Sequence, residues 1–254
     1  MYGKKMIQSF LKNWPKEINL YVYHQDVIPS ERGDNLILMD LESTCPDLVQ
    51  FKNKWKNDPN ARGNVDDSSA HIKLAKRDKV GFKWDAIRFS HKVYAIFHCA
   101  KTCDADVLFW MDADTICHSP ITIDFLQSMA PVTTDLGFLG RENKYSECGL
   151  YSMNLKSNIV QEFLRKFQWV YDNAEQGIFT FSEWHDSFVF DRVREMVTSM
   201  QEFNWSKGLI KGEGHPLINS PWGAYLDHLK GKRKIYGKSE RADLKVTRTE
   251  DYWR

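Results

Sequence analysis

The feature that most constrains this chain is an apolar run ending in two closely spaced aspartates. Val107–Met111 is uninterrupted by polar residues, as expected of a short strand buried on both faces. Asp112 and Asp114 follow it, separated by one alanine. In an extended backbone these side chains point the same way, and two carboxylates so placed repel each other unless a cation lies between them. Because the carboxyl end of such strands is where α/β sheets bind ligands, the pattern predicts a site for a hard divalent metal.

A simple turn is the alternative explanation of the same residues. Aspartates that follow a strand often accept hydrogen bonds from the next backbone amides, and this role needs no metal. The motif alone leaves both explanations open.

The composition indicates a folded chain without a dominant charge. The 254 residues are enough for one large domain, and they include 9 Trp, 10 Tyr and 15 Phe. The formal net charge is +1, so no overall field points to nucleic acid as a partner. The five cysteines form no CxxC pair, and neither a signal peptide nor an apolar run near the roughly 20 residues of a membrane span is visible. We therefore expect a cytoplasmic protein with reduced thiols and no membrane span.

Predicted strands and helices alternate along the chain, which is typical of an α/β sandwich with a mainly parallel central sheet. Hydrophobic periodicity predicts strands over residues 18–23, 36–39, 107–111, 136–139 and 150–153. It predicts helices over residues 2–13, 46–57, 84–100, 120–129 and 159–171, and a further helix capped by Ser182. The polar stretches 57–69 and 140–149 are predicted loops.

Two cations lie on the helix that leads into the acidic strand. Arg88 and Lys92 are four positions apart and therefore share one helix face. We expect them to be near enough to contact a bound phosphate, with an ordinary solvated face as the alternative.

A basic segment near the C-terminus provides a second motif in addition to the paired aspartates. A strand ending in Asp-x-Asp, after a helix with Arg and Lys, resembles the GT-A fold of nucleotide-sugar glycosyltransferases, which is a Rossmann-like sandwich. His228-x-x-Gly231-x-x-Lys234 resembles the C-terminal motif of the glycogenin-like family 8 enzymes within that fold. The likeness lies in the order of elements across most of the chain. A solvated basic tail is the alternative explanation of His228 and Lys234.

The resemblance implies a set of ligands and a reaction. Asp112, Asp114 and His228 would bind Mn²⁺ (or Mg²⁺), and Gly231 and Lys234 would contact the diphosphate of a UDP- or GDP-sugar. The implied activity is hexosyl transfer to a glycan, lipid or protein acceptor that the sequence does not identify. Such a reaction expels a nucleoside diphosphate, whose developing charge a divalent ion and a lysine can stabilise.

The sequence also departs from the family pattern. The aromatic-proline pair expected after the motif lysine is missing, and the acidic motif near the transferred sugar has only a loose counterpart at residues 183–186. We expect His185 to contact substrate and Asp186 to act as the catalytic base or to hold a sugar hydroxyl. Alternatively, Asp186 only stabilises a helix N-terminus. The family likeness favours retention of configuration, but the residues leave retention and inversion open.

Two other functions compete with glycosyl transfer. An apolar strand followed by Asp-x-Asp also resembles the first motif of magnesium-dependent haloacid-dehalogenase-type phosphatases, with Asp112 as the nucleophile. However, about a hundred residues of α/β pattern precede Asp112, and no later apolar strand ends in paired acids. The other competitor is a relative that binds a sugar nucleotide without turnover.

The whole chain, residues 1–254, is predicted to form a single GT-A-like domain. Residues 1–115 would be the nucleotide-binding half, and residues 116–254 would form the acceptor and sugar half with the phosphate loop. The first strand of a GT-A sheet is missing from the pattern, because a helix opens the sequence. We therefore expect either that the natural chain starts further upstream or that the 18–23 strand pairs directly with the 107–111 strand.

Overall fold

The computed structural model describes residues 2–58, 60–63, 81–209, 214–231 and 233–254, and it has a mixed α/β fold. The chain forms two compact units. Unit 1 consists of Met1–Leu38, Ala105–Ser157 and Met200–Arg254, and unit 2 consists of Met39–Asp104 and Asn158–Ser199.

The strands form three sheets. In chain order the strands are β1 (Leu20–His24), β2 (Leu36–Asp40), β3 (Val107–Met111), β4 (Thr115–Cys117), β5 (Leu136–Arg141), β6 (Lys144–Asn154), β7 (Glu202–Asn204) and β8 (Leu226–His228). Among the described residues, β1 pairs with β2, β4 pairs with β8, and the other four form a sheet in the order β3-β6-β5-β7.

The four-stranded sheet is mixed. β6 is antiparallel to both β3 and β5, whereas β5 and β7 are parallel. Three strands, β3, β5 and β7, therefore run in one direction, and β6 runs against them. The α/β class is confirmed, while the specific GT-A assignment stays a prediction.

The described helices range from 4 residues to 17 residues in length. In chain order they are α1 (Tyr2–Asn13), α2 (Leu41–Thr44), α3 (Pro46–Trp55), α4 (Ala86–Thr102), α5 (Ile123–Met129), α6 (Asn158–Asp172), α7 (Asp186–Glu195), α8 (Pro216–Asn219) and α9 (Arg233–Tyr236). Single 3₁₀ turns cover Gly81–Trp84, Ile178–Thr180, Pro221–Ala224, Arg241–Asp243 and Asp251–Trp253. No helix in these described ranges is long and apolar enough to cross a membrane.

Each unit has an aromatic core. In unit 1, the fully buried Trp222 packs edge-on against Phe109 of β3 and against Trp205. In unit 2, Tyr94 of α4 lies against Tyr171 of α6. Such large side chains contribute much of the apolar surface that each unit removes from water.

Several predictions about individual elements need correction. The residues of β3 are only partly buried, because in the described structure this strand has a neighbour on one side alone, β6. Residues 140–149, predicted as a loop, instead form much of the β5–β6 hairpin, whose turn places Asn143 at a φ of 60°. The helix predicted from Ser182 begins at Asp186, with His185 as its N-cap.

Two further predictions concern the first strand and a loop. The structure pairs β1 with β2 and β3 with β6, so direct pairing of β1 with β3 is wrong for the described strands. Of the predicted loop 57–69, residue 59 and residues 64–69 lie outside the described residues.

All five cysteines are free thiols.

Candidate metal centre

A tight turn connects β3 to β4 and carries the two aspartates. The amide of Asp112 donates to the carbonyl of Gly149 on β6 (2.9 Å), which extends the β3–β6 pairing by one residue. The amide of Thr115 then donates to the carbonyl of Asp112 (3.0 Å), so the chain reverses between them. The residues between Asp112 and Thr115 therefore form a turn that is closed by a backbone hydrogen bond.

The β4–β8 pair brings His228 to these carboxylates. Thr115 pairs with His228 across the two strands, and the amide of Leu229 donates to the carbonyl of Asp114 (2.9 Å). As a result, His228 Nε2 lies 2.9 Å from Asp114 Oδ1 and 3.7 Å from Asp112 Oδ2. A strand pairing thus joins residues separated by more than a hundred positions in the sequence.

The geometry of these three side chains fits a divalent metal. Asp112, Asp114 and His228 each offer one ligand atom, and these atoms lie within 4.8 Å of one another. In an octahedral site with bonds of about 2.1 Å, adjacent ligand atoms lie roughly 3 Å apart and opposite ones roughly 4 Å apart. Two carboxylates and an imidazole are also ligand types that Mn²⁺ accepts. The predicted ligand set is therefore sterically and chemically suitable.

A buried glutamate lies behind the histidine. Glu147 of β6 is 1% exposed, and its Oε1 lies 2.7 Å from His228 Nδ1 and 2.9 Å from Lys230 Nζ. Burial alone raises the pKa of this carboxyl, but Lys230 and His228 outweigh burial and hold the pKa well below its usual range. Sequence reasoning missed Glu147, because it falls in the segment predicted as a loop.

The histidine and the aspartate stabilise each other's charged forms. Burial lowers the pKa of His228, but the hydrogen bonds to Asp114 and Glu147 outweigh it and raise the pKa to about 9. Burial raises the pKa of Asp114, but His228 and Lys234 outweigh it and hold this pKa below its usual range. An ion bound at His228 Nε2 must therefore displace a proton.

The basic segment after β8 is folded against this centre. Gly231 has a φ of +55°, a backbone conformation that a glycine adopts without strain. The following helix α9 places Lys234 Nζ 2.8 Å from Asp114 Oδ2, whereas the neighbouring Arg233 pairs with Asp243. Lys234 thus contacts a predicted metal ligand and does not extend as a solvated tail.

The remaining predicted site residues lie in unit 2. Lys92 Nζ is 2.7 Å from Asp186 Oδ2, and both side chains are largely buried. His185 Nε2 is 2.8 Å from Glu183 Oε2, while its Nδ1 accepts the amide hydrogen of Phe188 and so caps α7. Arg88 is exposed on the first turn of α4. Their contacts with substrate stay predictions.

The structure thus brings together Asp112, Asp114, His228 and Lys234 in unit 1, with Gly231 in the connecting turn. In unit 2 it brings Lys92 to Asp186. Comparisons with protein-family models, curated proteins and solved structures found no match to this chain.

Proposed function

We propose that this protein is a metal-dependent glycosyltransferase that uses a nucleoside-diphosphate sugar as donor. One observation carries the proposal: Asp112, Asp114 and His228 converge in a metal-binding arrangement, and Lys234 contacts the same Asp114 carboxylate. A metal and an ammonium group side by side are suited to a diphosphate, because both favour the charge that develops when it leaves.

The residues have separate roles in this proposal. The two carboxylates and His228 Nε2 hold Mn²⁺ or Mg²⁺, which when bound supplies Lewis-acid stabilisation of the departing diphosphate. Lys234 binds a phosphate oxygen, and Gly231 lets the backbone of the loop approach closely.

The charge balance of the centre supports an anionic ligand. Three carboxylates, Asp112, Asp114 and Glu147, face three cationic groups, His228, Lys230 and Lys234. Adding a divalent ion and losing the His228 proton leaves an excess of positive charge. A nucleoside diphosphate neutralises that excess, so the metal and the donor are expected to bind best together.

Asp186 is the proposed catalytic base. Asp186 has a carboxylate held by Lys92, and it begins a helix next to His185, a proposed contact to the sugar. A UDP- or GDP-sugar is the proposed donor, and the family resemblance alone favours transfer with retention over inversion. The acceptor is a glycan, a lipid or a protein.

A phosphatase with Asp112 as nucleophile is less well supported. Asp112 Oδ1 accepts a hydrogen bond from Trp110 Nε1 (2.7 Å), and Oδ2 faces His228. A histidine that approaches Asp112 from a distant strand is better explained as a metal ligand than as a neighbour of a phosphorylated aspartate.

The test is a donor panel. The protein is incubated with UDP- and GDP-hexoses and Mn²⁺, with and without a cell extract as acceptor, and release of UDP or GDP is measured together with the mass of labelled products. We expect Mn²⁺-dependent release from one donor class. Stabilisation by a phosphate analogue with Mg²⁺, and not by a sugar nucleotide with Mn²⁺, would favour the phosphatase. Binding without release would favour a non-catalytic relative.

A further inference from the structure

We infer that Glu147 is a positioning residue that fixes the ring orientation and tautomer of His228 for metal binding. The inference rests on the proposed metal centre and adds a residue that the sequence motifs do not contain. In this role Glu147 touches neither the ion nor the donor and acts through His228.

The contact geometry determines which nitrogen faces the ion. Glu147 Oε1 lies 2.7 Å from His228 Nδ1, and an ionised carboxylate can only accept hydrogen bonds. With Glu147 as the acceptor in this contact, the ring hydrogen lies on Nδ1, and the lone pair of Nε2 is left for a metal. Nε2 is the nitrogen that faces Asp112 and Asp114. A carboxylate behind a metal-binding histidine both orients the ring and strengthens it as a ligand.

The backbone of β6 holds the ring from the same side. Glu147 and Gly149 are two positions apart on this strand, and both lie against the His228 ring. A Cβ atom at Gly149 would lie 2.3 Å from His228 Cε1 and 2.4 Å from Nδ1. The ring is thus fixed by a hydrogen bond at one position and by close backbone contact at the next.

Two more contacts show that the glutamate organises the segment after β8. Lys230 Nζ lies 2.9 Å from Glu147 Oε1, which ties the start of the basic loop to β6. His215 Nε2 lies 2.9 Å from the carbonyl of His228, and its Nδ1 is 3.9 Å from Glu147 Oε2. Removing the carboxylate therefore removes one contact that holds the proposed metal ligand and one that holds the loop after it.

The experiment measures metal binding without any glycosyl transfer. Mn²⁺ is titrated into the full-length protein and free Mn²⁺ is followed by electron paramagnetic resonance, for the wild type, Glu147→Gln and Glu147→Asp. Asp227→Asn is the matched control, because Asp227 is a fully buried carboxylate on β8 whose partners are Ser239 and Tyr252. A second measurement uses ¹⁵N-histidine NMR of the wild type with Zn²⁺ as a diamagnetic probe, so that it does not depend on a variant that folds.

We expect Glu147→Gln to raise the dissociation constant for Mn²⁺ by about 10- to 100-fold, with partial rescue in Glu147→Asp and little change in Asp227→Asn. The NMR spectrum should show the hydrogen of His228 on Nδ1 and the metal on Nε2. Unchanged affinity in Glu147→Gln, or a hydrogen on Nε2 in the Zn²⁺ form, would overturn the inference while leaving the metal centre in place. If the wild type binds no Mn²⁺, either alone or with UDP or GDP, the metal centre itself fails and the inference fails with it.

Discussion

The imidazole of His228 lies against the backbone of Gly149 so closely that no side chain fits between them. A methyl group at this position would approach the ring to 2.3 Å, well inside van der Waals contact. The carbonyl of the same glycine accepts the amide hydrogen of Asp112. One residue of β6 therefore sets the position of two predicted metal ligands.

Gly149→Ala should consequently impair metal binding as well as stability. The added methyl must displace the histidine ring or separate β6 from β8, and such overpacking costs about 1–3 kcal/mol of unfolding free energy. Urea unfolding and Mn²⁺ titration check the two effects. Gly3→Ala is the control, since no atom lies within 4 Å of a Cβ there and alanine favours α1. Normal Mn²⁺ affinity in Gly149→Ala would show that the ring position is not critical.

Asp112→Asn and Asp114→Asn should each abolish metal-dependent turnover. Asp112→Asn should leave the melting temperature nearly unchanged, because Asp112 is the more distant carboxylate from His228 and an asparagine oxygen can still accept the hydrogen bond of Trp110 Nε1. Asp114→Asn should lower it more, because Asp114 also pairs with His228 and Lys234. Turnover, Mn²⁺ affinity and thermal unfolding measure these effects. Full activity of the wild type in EDTA would contradict the proposed metal dependence.

Lys234→Ala should weaken the binding of UDP or GDP in the presence of Mn²⁺. Loss of a charge-assisted contact to a phosphate corresponds to about a tenfold change, or roughly 1.4 kcal/mol. Arg233→Ala is the matched control, because Arg233 is the neighbouring cation and pairs with Asp243. Calorimetry should show reduced affinity in Lys234→Ala alone. The same assay on Arg88→Ala tests the predicted phosphate contact from α4. Affinities equal to that of the wild type would show that neither Lys234 nor Arg88 contacts the phosphates.

The sequence contains enough information to predict most of the elements and to select Asp112, Asp114 and His228 as candidate ligands, but not to find the residues that support them. Val107–Met111 is a strand as predicted, because an apolar run between polar residues is a local signal. Glu147 could not be found in the same way. Its partner His228 lies 81 positions away. In addition, the polar residues around Glu147 are as common in a loop as in the strands of a hairpin, so they do not predict a strand there. The role of His185 as N-cap was also missed, because helix boundaries are less well determined than helix existence.

Stability should depend on pH through His118. Burial lowers the pKa of this histidine to about 4, from an ordinary value of 6.5, and its ring stacks on Tyr252 at 3.9 Å between centroids. Between these two values the unfolded chain binds a proton that the folded protein does not, so the free energy of unfolding should fall as the pH decreases from about 6.5 to 4. Above pH 6.5 the histidine is neutral in both the folded and the unfolded chain, so it causes no loss in the free energy of unfolding there.

Urea unfolding at several pH values compares the wild type with His118→Gln. The variant should lose less stability between pH 6.5 and 4 than the wild type does. His98→Gln in α4 controls for the removal of a histidine elsewhere. Parallel curves for the wild type and His118→Gln would show that this residue does not determine the acid sensitivity.

Asp186→Asn should reduce turnover roughly 100-fold or more while leaving Mn²⁺ affinity unchanged, if the carboxylate acts as a general base. Asp191→Asn is a matched control, since Asp191 is a buried aspartate on the same helix paired with Arg194. Donor turnover and Mn²⁺ titration are compared in both variants. Wild-type turnover in Asp186→Asn would restrict Asp186 to stabilising the start of α7.

The pairing of β4 with β8 has a consequence for the order of events during synthesis. Asp114 leaves the ribosome 114 residues before the histidine that contacts it. A growing chain therefore carries Asp114 through 114 further residues of synthesis without its imidazole partner. Binding of the proposed metal by all three candidate ligands can only follow emergence of β8, so it would come after the aspartates have already folded or would wait for β8 to pair with β4.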